Sequence, residues 1–181
     1  LPRMYPTDTV RDALNSYLRP APVAVLQAEQ VDDDFHARFS ATKRAYQYVI
    51  VNRRSPLTIE RGRAWLVARP LDATAMSAAG KHLIGRHDFT SFRAAECQAA
   101  SPVKTLSLLH SARAGERINI TAEARSFLHR QVRNIVGTLV MVGEGKIAPE
   151  QVATILSDRN RGSAGPCAPP DGLYLAAISY D

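Results

Sequence analysis

The sequence predicts an α+β fold, an antiparallel β-sheet with helices packed on one side. Three observations predict it. Apolar runs over 103–111 and 117–124 flank Ala114-Gly115-Glu116 and read as a hairpin. Apolar residues recur at helical spacing over 72–84 and 127–142. Strands and helices then follow one another in an order that suits a sheet covered on one face.

The chain has 181 residues, enough for one substantial domain or two small ones. Over residues 7–18, Thr7-Asp8-Thr9 can cap a helix from about Val10 to Leu18, which Arg19-Pro20 ends. Val23-Ala24-Val25-Leu26 reads as a strand. Asp32-Asp33-Asp34 is an acidic turn. Ala45 to Val51 is a strand by its aromatic and β-branched content, with Tyr46, Tyr48 and Ile50 on one face. Ser55-Pro56 marks a loop, and Ala64 to Val67 is a short apolar strand.

Asp72 is a cap for a helix through Met76, Ala79, Leu83 and Ile84 that stops at Gly85. Phe89 and Phe92 read as core anchors, with Asp88 capping a short turn. The hairpin follows, its second strand alternating Ile118 and Ile120 with polar residues. The helix over 127–142 turns Leu128, Val132, Ile135, Val136 and Leu139 to one face. Its opposite face carries Arg130, Arg133, Asn134 and Gly137. That face reads as a solvated basic surface or as a strip that a partner approaches closely. Gly137, costing about 1 kcal/mol against Ala in a helix interior, favours close packing. A short helix from Glu150 to Leu156, a Gly- and Pro-rich loop over 158–170 and a buried closing strand over 173–180 complete the chain.

Net charge is +6, and 19 of the 23 cationic side chains are arginine. Arginine recognises phosphate through a planar fork and stacks on bases, so a nucleic acid is the expected partner; an Arg-biased composition alone would look the same. Cys97 and Cys167 have no paired spacing, and the five histidines show no metal motif, so no metal site is expected. No run of 18 apolar residues occurs, so no spanning helix and no membrane partner are expected. Leu1-Pro2-Arg3 shows no secretory pattern, and a reducing cytoplasm is the expected compartment. Phe35-His36-Ala37-Arg38-Phe39 interleaves aromatics with cations, which suits stacking on bases and contact with phosphate. Half-buried phenylalanines with an outward Arg38 would give the same pattern.

Five stretches carry a resemblance: Asp34 to Thr42, Tyr46-Gln47-Tyr48, Gly85 to Arg93, Phe127 to Leu139, and Asp171-Gly172-Leu173-Tyr174-Leu175. In order and approximate spacing they resemble the TruA-like family of tRNA pseudouridine synthases, over nearly the whole chain. The resemblance implies the pseudouridine synthase fold and a cofactor-free isomerase. It would detach uracil from its ribose and rejoin it through carbon, at positions 38 to 40 of the tRNA anticodon stem-loop, on an extruded base. It implies a homodimer with tRNA reaching across both subunits. It also implies that residues 1–35 are the tail of an N-terminal domain and that 36–181 form the C-terminal RNA-binding and catalytic domain.

The resemblance assigns roles residue by residue. Arg38 matches an arginine that helps flip the base. Tyr46 matches the tyrosine that packs on uracil. Arg133 matches the active-site arginine that pairs with the catalytic aspartate and keeps it ionised. Phe35, His36, Ala37 and Phe39 match the rest of one RNA-contacting segment. Glu96, Cys97 and Gln98 belong to a second, where Ala99 and Ala100 are small and apolar. Lys43, Arg44, Arg93, His129 and Arg130 complete the cationic candidates.

One departure stands out. The family's nucleophilic aspartate lies in a Gly-Arg-Thr-Asp-Ala-Gly-Val-His motif, and these residues contain none. The chain matches the C-terminal two-thirds of such an enzyme. The expectation is that the aspartate lies upstream in a longer protein and that this chain alone is inactive. The alternatives are a non-catalytic tRNA-binding module and a plain structural or dimerisation domain with a solvated basic face.

Overall fold

Residues 5–180 are described by the structure, a computed structural model, and they divide into two units between Ser40 and Ala41. Leu1-Pro2-Arg3, read above for a secretory signal, lies outside the described residues.

In the first unit, helix α1 spans Thr7–Leu18. It starts at Thr7 after Pro6 and has no side-chain cap, so the expected cap at Thr7-Asp8-Thr9 is not made. Asp8 instead sits in the first turn, where a carboxylate suits the helix dipole. The expected strand at Val23–Leu26 does not form. The Asn15 amide takes the place of a neighbouring strand: its Nδ2 donates to Val25 O at 2.8 Å, and its Oδ1 accepts from Val25 N at 2.7 Å.

The second unit holds β1 (Lys43–Val51), β2 (Trp65–Leu66), α2 (Ala73–Lys81), β3 (Gly85–Asp88), β4 (Val103–Ala114), β5 (Arg117–Ala124), α3 (Gln131–Gly143), α4 (Gln151–Ser157) and β6 (Leu173–Ser179). The six strands make one sheet in the order β2-β1-β5-β4-β3, with β6 also paired to β1. All pairings are antiparallel except β1 with β2, so the sheet is mixed rather than purely antiparallel. Helices cover one side, the α+β arrangement expected.

Alternation sets the covered face. Tyr48 and Ile50 of β1 pair with Ile120 and Ile118 of β5, and all four are buried. On β4 the buried residues are Leu106, Leu109 and Ser111, which do not share one parity. A bulge between Leu106 and Leu108 explains this: Leu106 faces Ala124 and Leu108 faces Glu123, leaving Ser107 extra. The Ser107 hydroxyl closes the bulge on Glu123 O at 3.0 Å.

Helix α2 begins as expected, with Asp72 Oδ1 accepting from Thr74 N and Ala75 N. The helix ends at Lys81, short of the expected Ile84, and Gly85–Asp88, expected as the helix stop and the cap of a short turn, form strand β3, which pairs with β4 from Gly85↔Leu106 to Asp88↔Val103. Phe89 and Phe92 are core anchors, fully buried.

Helix α3 corrects two expectations. It starts at Gln131, after Arg130 takes a left-handed conformation at φ 59°, so Arg130 is not part of a helical cationic strip. Its polar face is not solvated either. Gln131, Asn134, Gly137 and Thr138 are all buried, and the helix is a central one covered nearly all round. Asn134 Nδ2 donates to Phe92 O at 2.8 Å, and Thr138 Oγ1 accepts from Gly165 N at 2.9 Å. The closing strand β6 is not buried. Leu175 is 50% and Ile178 38% exposed, because among the described residues β6 pairs with β1 alone and lies at the sheet edge.

Candidate active site

Arg133 lies in the first turn of α3, half-buried. Its Nε donates to Ala168 O at 2.6 Å. Ala168 N donates back to Arg133 O at 3.1 Å. The segment 164–172 is thereby strapped to α3, and two glycines let it come close. A Cβ on Gly137 would stand 1.7 Å from Pro166 O, and one on Gly172 would stand 2.6 Å from Val49 O and 2.7 Å from the Tyr48 ring. The close packing read from Gly137 is therefore present, and its partner is this segment. Among the described residues no acceptor bonds Nη1 or Nη2 of Arg133, so one edge of the guanidinium fork remains for an anion.

Tyr46 and Tyr48 sit two residues apart on the covered face of β1. The Tyr46 ring meets Phe127 edge-on at 5.1 Å between centroids, which leaves it half-buried and fixed in plane. Tyr48 donates its hydroxyl to Pro169 O at 2.7 Å. Burial pushes the Tyr48 phenol well above the usual tyrosine range; the nearby Arg133 charge opposes this, and Asp171 and Cys167 add to it. Tyr48 is therefore a neutral donor beside Arg133, not a base.

Arg93, Glu96, Cys97, His129 and Arg130 are brought together where the 93–99 loop meets the start of α3. Arg130 Nη2 pairs with Glu96 Oε1 at 2.9 Å, and His129 Nδ1 lies 3.9 Å from the same oxygen. The Glu96 carboxyl is held below its usual range by its own backbone N–H first, then by Arg130 and His129. Arg93 Nη2 donates to Cys97 O and Ala99 O, at 2.6 and 3.0 Å. Cys97 is buried and its sulfur accepts from His129 N at 3.4 Å. Burial raises that thiol, but the N–H groups of Ala99 and His129 and the Arg93 charge outweigh it and leave it below its usual value. Arg93 and Cys97 thus hold the loop, while Gln98, Glu96, His129 and Arg130 face outward.

Lys43 pairs with Glu123 at 3.4 Å, and Arg44 donates to Arg125 O, both at the start of β1. Within the first unit, the segment 35–39 folds on itself. His36 Nδ1 accepts from Arg38 N at 3.1 Å, its ring meets Phe39 at 4.4 Å, and the Arg38 guanidinium stands 5.7 Å from the centre of the Phe39 ring. Phe39 is 70% exposed, so this is an outward aromatic and cationic surface; Ala37 is exposed beside it and Phe35 half-buried.

Reading the sequence missed Tyr48, Ala168 and Gly172 as parts of the Arg133 surroundings. The signal available was the run Gly165-Pro166 to Asp171-Gly172, whose rigid and Cβ-free residues mark a segment that must pack tightly.

A family model described as tRNA pseudouridine synthase matches residues 79–181. A tRNA pseudouridine synthase A of Paramagnetospirillum magneticum is 60% identical over 99% of this chain and 70% of its own length. Proteins of the same name from Rhodospirillum rubrum and Rhodopseudomonas palustris are 55% and 54% identical over 99% of this chain, and over 65% and 74% of their own lengths. This chain thus spans between 65% and 74% of the length of these relatives. With the match covering more than half of these residues and the likeness nearly all of them, the chain belongs to the tRNA pseudouridine synthase family.

Proposed function

We propose that this chain carries the uracil-packing and arginine-bearing part of a tRNA pseudouridine synthase acting on uridines of the anticodon stem-loop, at positions 38 to 40. The observation that carries the reading is Arg133, held through Nε by Ala168 with its Nη edge open, on the α3 helix that packs over the face bearing Tyr46 and Tyr48.

The reaction needs no redox partner and no net addition. The N1–C1′ bond of the uridine breaks, the uracil turns, and a C5–C1′ bond forms. The proton lost from C5 is balanced by one taken up at N1. Tyr46 offers a flat surface for the detached uracil, steadied by Phe127. Arg133 would hold a carboxylate nucleophile ionised and oriented by a charge-assisted pair. Arg38 would help flip the base and hold its place, and Phe35, His36, Ala37 and Phe39 would contact the RNA. Gln98, His129, Arg130, Lys43 and Arg44 would meet the RNA backbone, with Arg93, Glu96 and Cys97 shaping the loop they stand on. The reading places the protein in the cytoplasm, as a homodimer.

The carboxylate is not supplied by the family motif within these residues. The chain by itself is therefore proposed to bind tRNA without turnover. That same observation favours a second reading, a tRNA-binding module that has no chemistry of its own. Tritium release from tRNA labelled at uridine C5 separates the two. The chain joined to the missing portion of its Paramagnetospirillum relative should release label, and the chain alone should not. No release from the joined protein despite tRNA binding would leave the binding module. No tRNA binding at low salt would sink both.

A further inference from the structure

Away from Arg133, the same unit holds a second cationic surface. Two adjoining clefts of about 430 and 500 Å³ share Pro70. The first is lined by Asn52, Arg53, Arg54 and Arg69, and Arg113 lines the second. Asn52 builds it. Its Nδ2 donates to Val67 O at 2.8 Å and to Arg69 O at 2.7 Å; its Oδ1 accepts from Leu71 N at 3.1 Å and from Arg113 Nη2 at 2.9 Å. All four valences of one amide thus pin the 67–71 segment and Arg113 to the end of β1.

The charge there is not neutralised. Arg53 pairs with Glu116 at 2.9 Å. Arg113 bonds only carbonyl and amide oxygens, those of Leu71, Asn52 and Gly115. Arg54 and Arg69 are exposed, and among the described residues their side chains have no partner. Asp72 is engaged in capping α2, and Glu60, which also feels the Arg53 charge, pairs with Arg117 at 3.1 Å. Among the described residues, Arg54, Arg69 and Arg113 therefore stand around one groove without a carboxylate partner.

The groove is remote from the candidate active site. Six strand residues from Tyr46 to Asn52, at about 3.3 Å each, span about 20 Å. Gly143, at the far end of α3 from Arg133, lines the second cleft; ten helical residues span about 15 Å. A single nucleotide held at Arg133 is too short to span that distance.

We infer that this arginine groove binds the phosphate backbone of the tRNA substrate at a point distant from the nucleotide that reacts. The inference rests on the tRNA reading above. Planar guanidinium groups left without carboxylate partners suit phosphodiester oxygens, and a groove open along its length suits a strand better than a single small anion.

The test uses the chain as it stands, a fluorescein-labelled tRNA transcript and a NaCl titration. The double variant Arg54→Ala/Arg69→Ala removes two exposed, unpartnered side chains and leaves the Asn52 network intact. It should weaken binding about tenfold at low salt. The slope of log affinity against log salt should fall by ~1.4–1.8, at about 0.7 to 0.9 for each phosphate no longer neutralised. Arg54→Lys/Arg69→Lys should restore most of the slope, since charge carries it. A double Ala variant with unchanged affinity and slope overturns this inference and leaves the proposed function standing. An unaltered chain that binds no tRNA at low salt removes both. Preferential binding of polyglutamate over tRNA, abolished by the same double Ala variant, makes the groove a dock for acidic protein and overturns it too.

Discussion

Arg133 and Ala168 hold each other by a reciprocal pair of hydrogen bonds, Nε to carbonyl at 2.6 Å and N–H to carbonyl at 3.1 Å. The pair ties a helix to an irregular segment 35 residues away in the chain. It fixes the guanidinium plane from one side only. An arginine needs that: its stem has several soft torsions, and a fork aimed at an anion works when its plane is set in advance.

Arg133→Lys is therefore not a conservative change. A lysine keeps the charge but has no Nε to bond Ala168 and no fork. In the joined protein described above, Arg133→Lys and Arg133→Ala should both lower kcat by on the order of 100-fold or more. The affinity for tRNA should change less than about threefold, because many other cationic groups still meet the phosphates. Equal falls in kcat and binding would show that Arg133 serves RNA binding alone.

Gly137→Ala should act on the same strap from below. Its Cβ would sit 1.7 Å from Pro166 O, a backbone atom that cannot swing away. Overpacking of this kind costs about 1–3 kcal/mol. In a chain of this size that lowers Tm by roughly 2–12 °C, at about 2–4 °C per kcal/mol. A melt unchanged by Gly137→Ala would mean that segment 164–168 is not packed on α3.

Tyr48→Phe removes the hydroxyl that bonds Pro169 O. The expected cost is about 0.5–1.5 kcal/mol, readable as a shift in the urea midpoint at constant slope. The ring stays, so Gly172 should still pack against it. Ultraviolet titration of the variant should lack one tyrosine step, and that step should lie above the usual tyrosine range, since burial holds this phenol protonated.

Asp88 gives the unit an acid limb. Its Oδ1 accepts from Thr90 Oγ1 at 2.6 Å and Thr90 N at 2.9 Å, and Arg159 Nε lies 3.4 Å from Oδ2. The Thr90 hydroxyl first, then the Thr90 N–H and Arg159, outweigh burial and hold the carboxyl below its unfolded value. A depressed folded pKa means that the stabilisation is complete above the unfolded value, near pH 4. It disappears as pH falls through the folded pKa. Asp88→Asn should flatten the stability curve below about pH 4 relative to the parent, and parallel curves would contradict this.

Much of the sheet was legible because local signals agreed with it. The hairpin over 103–124, the strand at Tyr46–Ile50 and the Asp72 cap each rest on interactions close in sequence. What failed did so for long-range reasons. Gly85-Arg86-His87-Asp88 has no strand-like side chains, and β4 makes it a strand by pairing with it. The Ser107 bulge reverses the parity of β4, which no alternation rule anticipates. Val23–Leu26 had strand composition, but the Asn15 amide took up the Val25 bonds. The Arg133 surroundings were half legible: Tyr46 and Arg133 stand out by resemblance, but Ala168 contributes only backbone atoms, which leave no trace in a residue's identity. The second buried face of α3 was hidden for the same reason, since its cover is a loop.

The exposed edge strand has a practical consequence. Leu175 and Ile178 stand on β6, whose outer row of backbone groups has no strand partner among the described residues. Such an edge is a template for any other extended segment. Copies of this chain should self-associate with rising concentration. Lysine placed at Leu175 or Ile178 should raise the concentration at which the chain stays monodisperse while leaving its melting temperature nearly unchanged, because neither side chain contributes to the core.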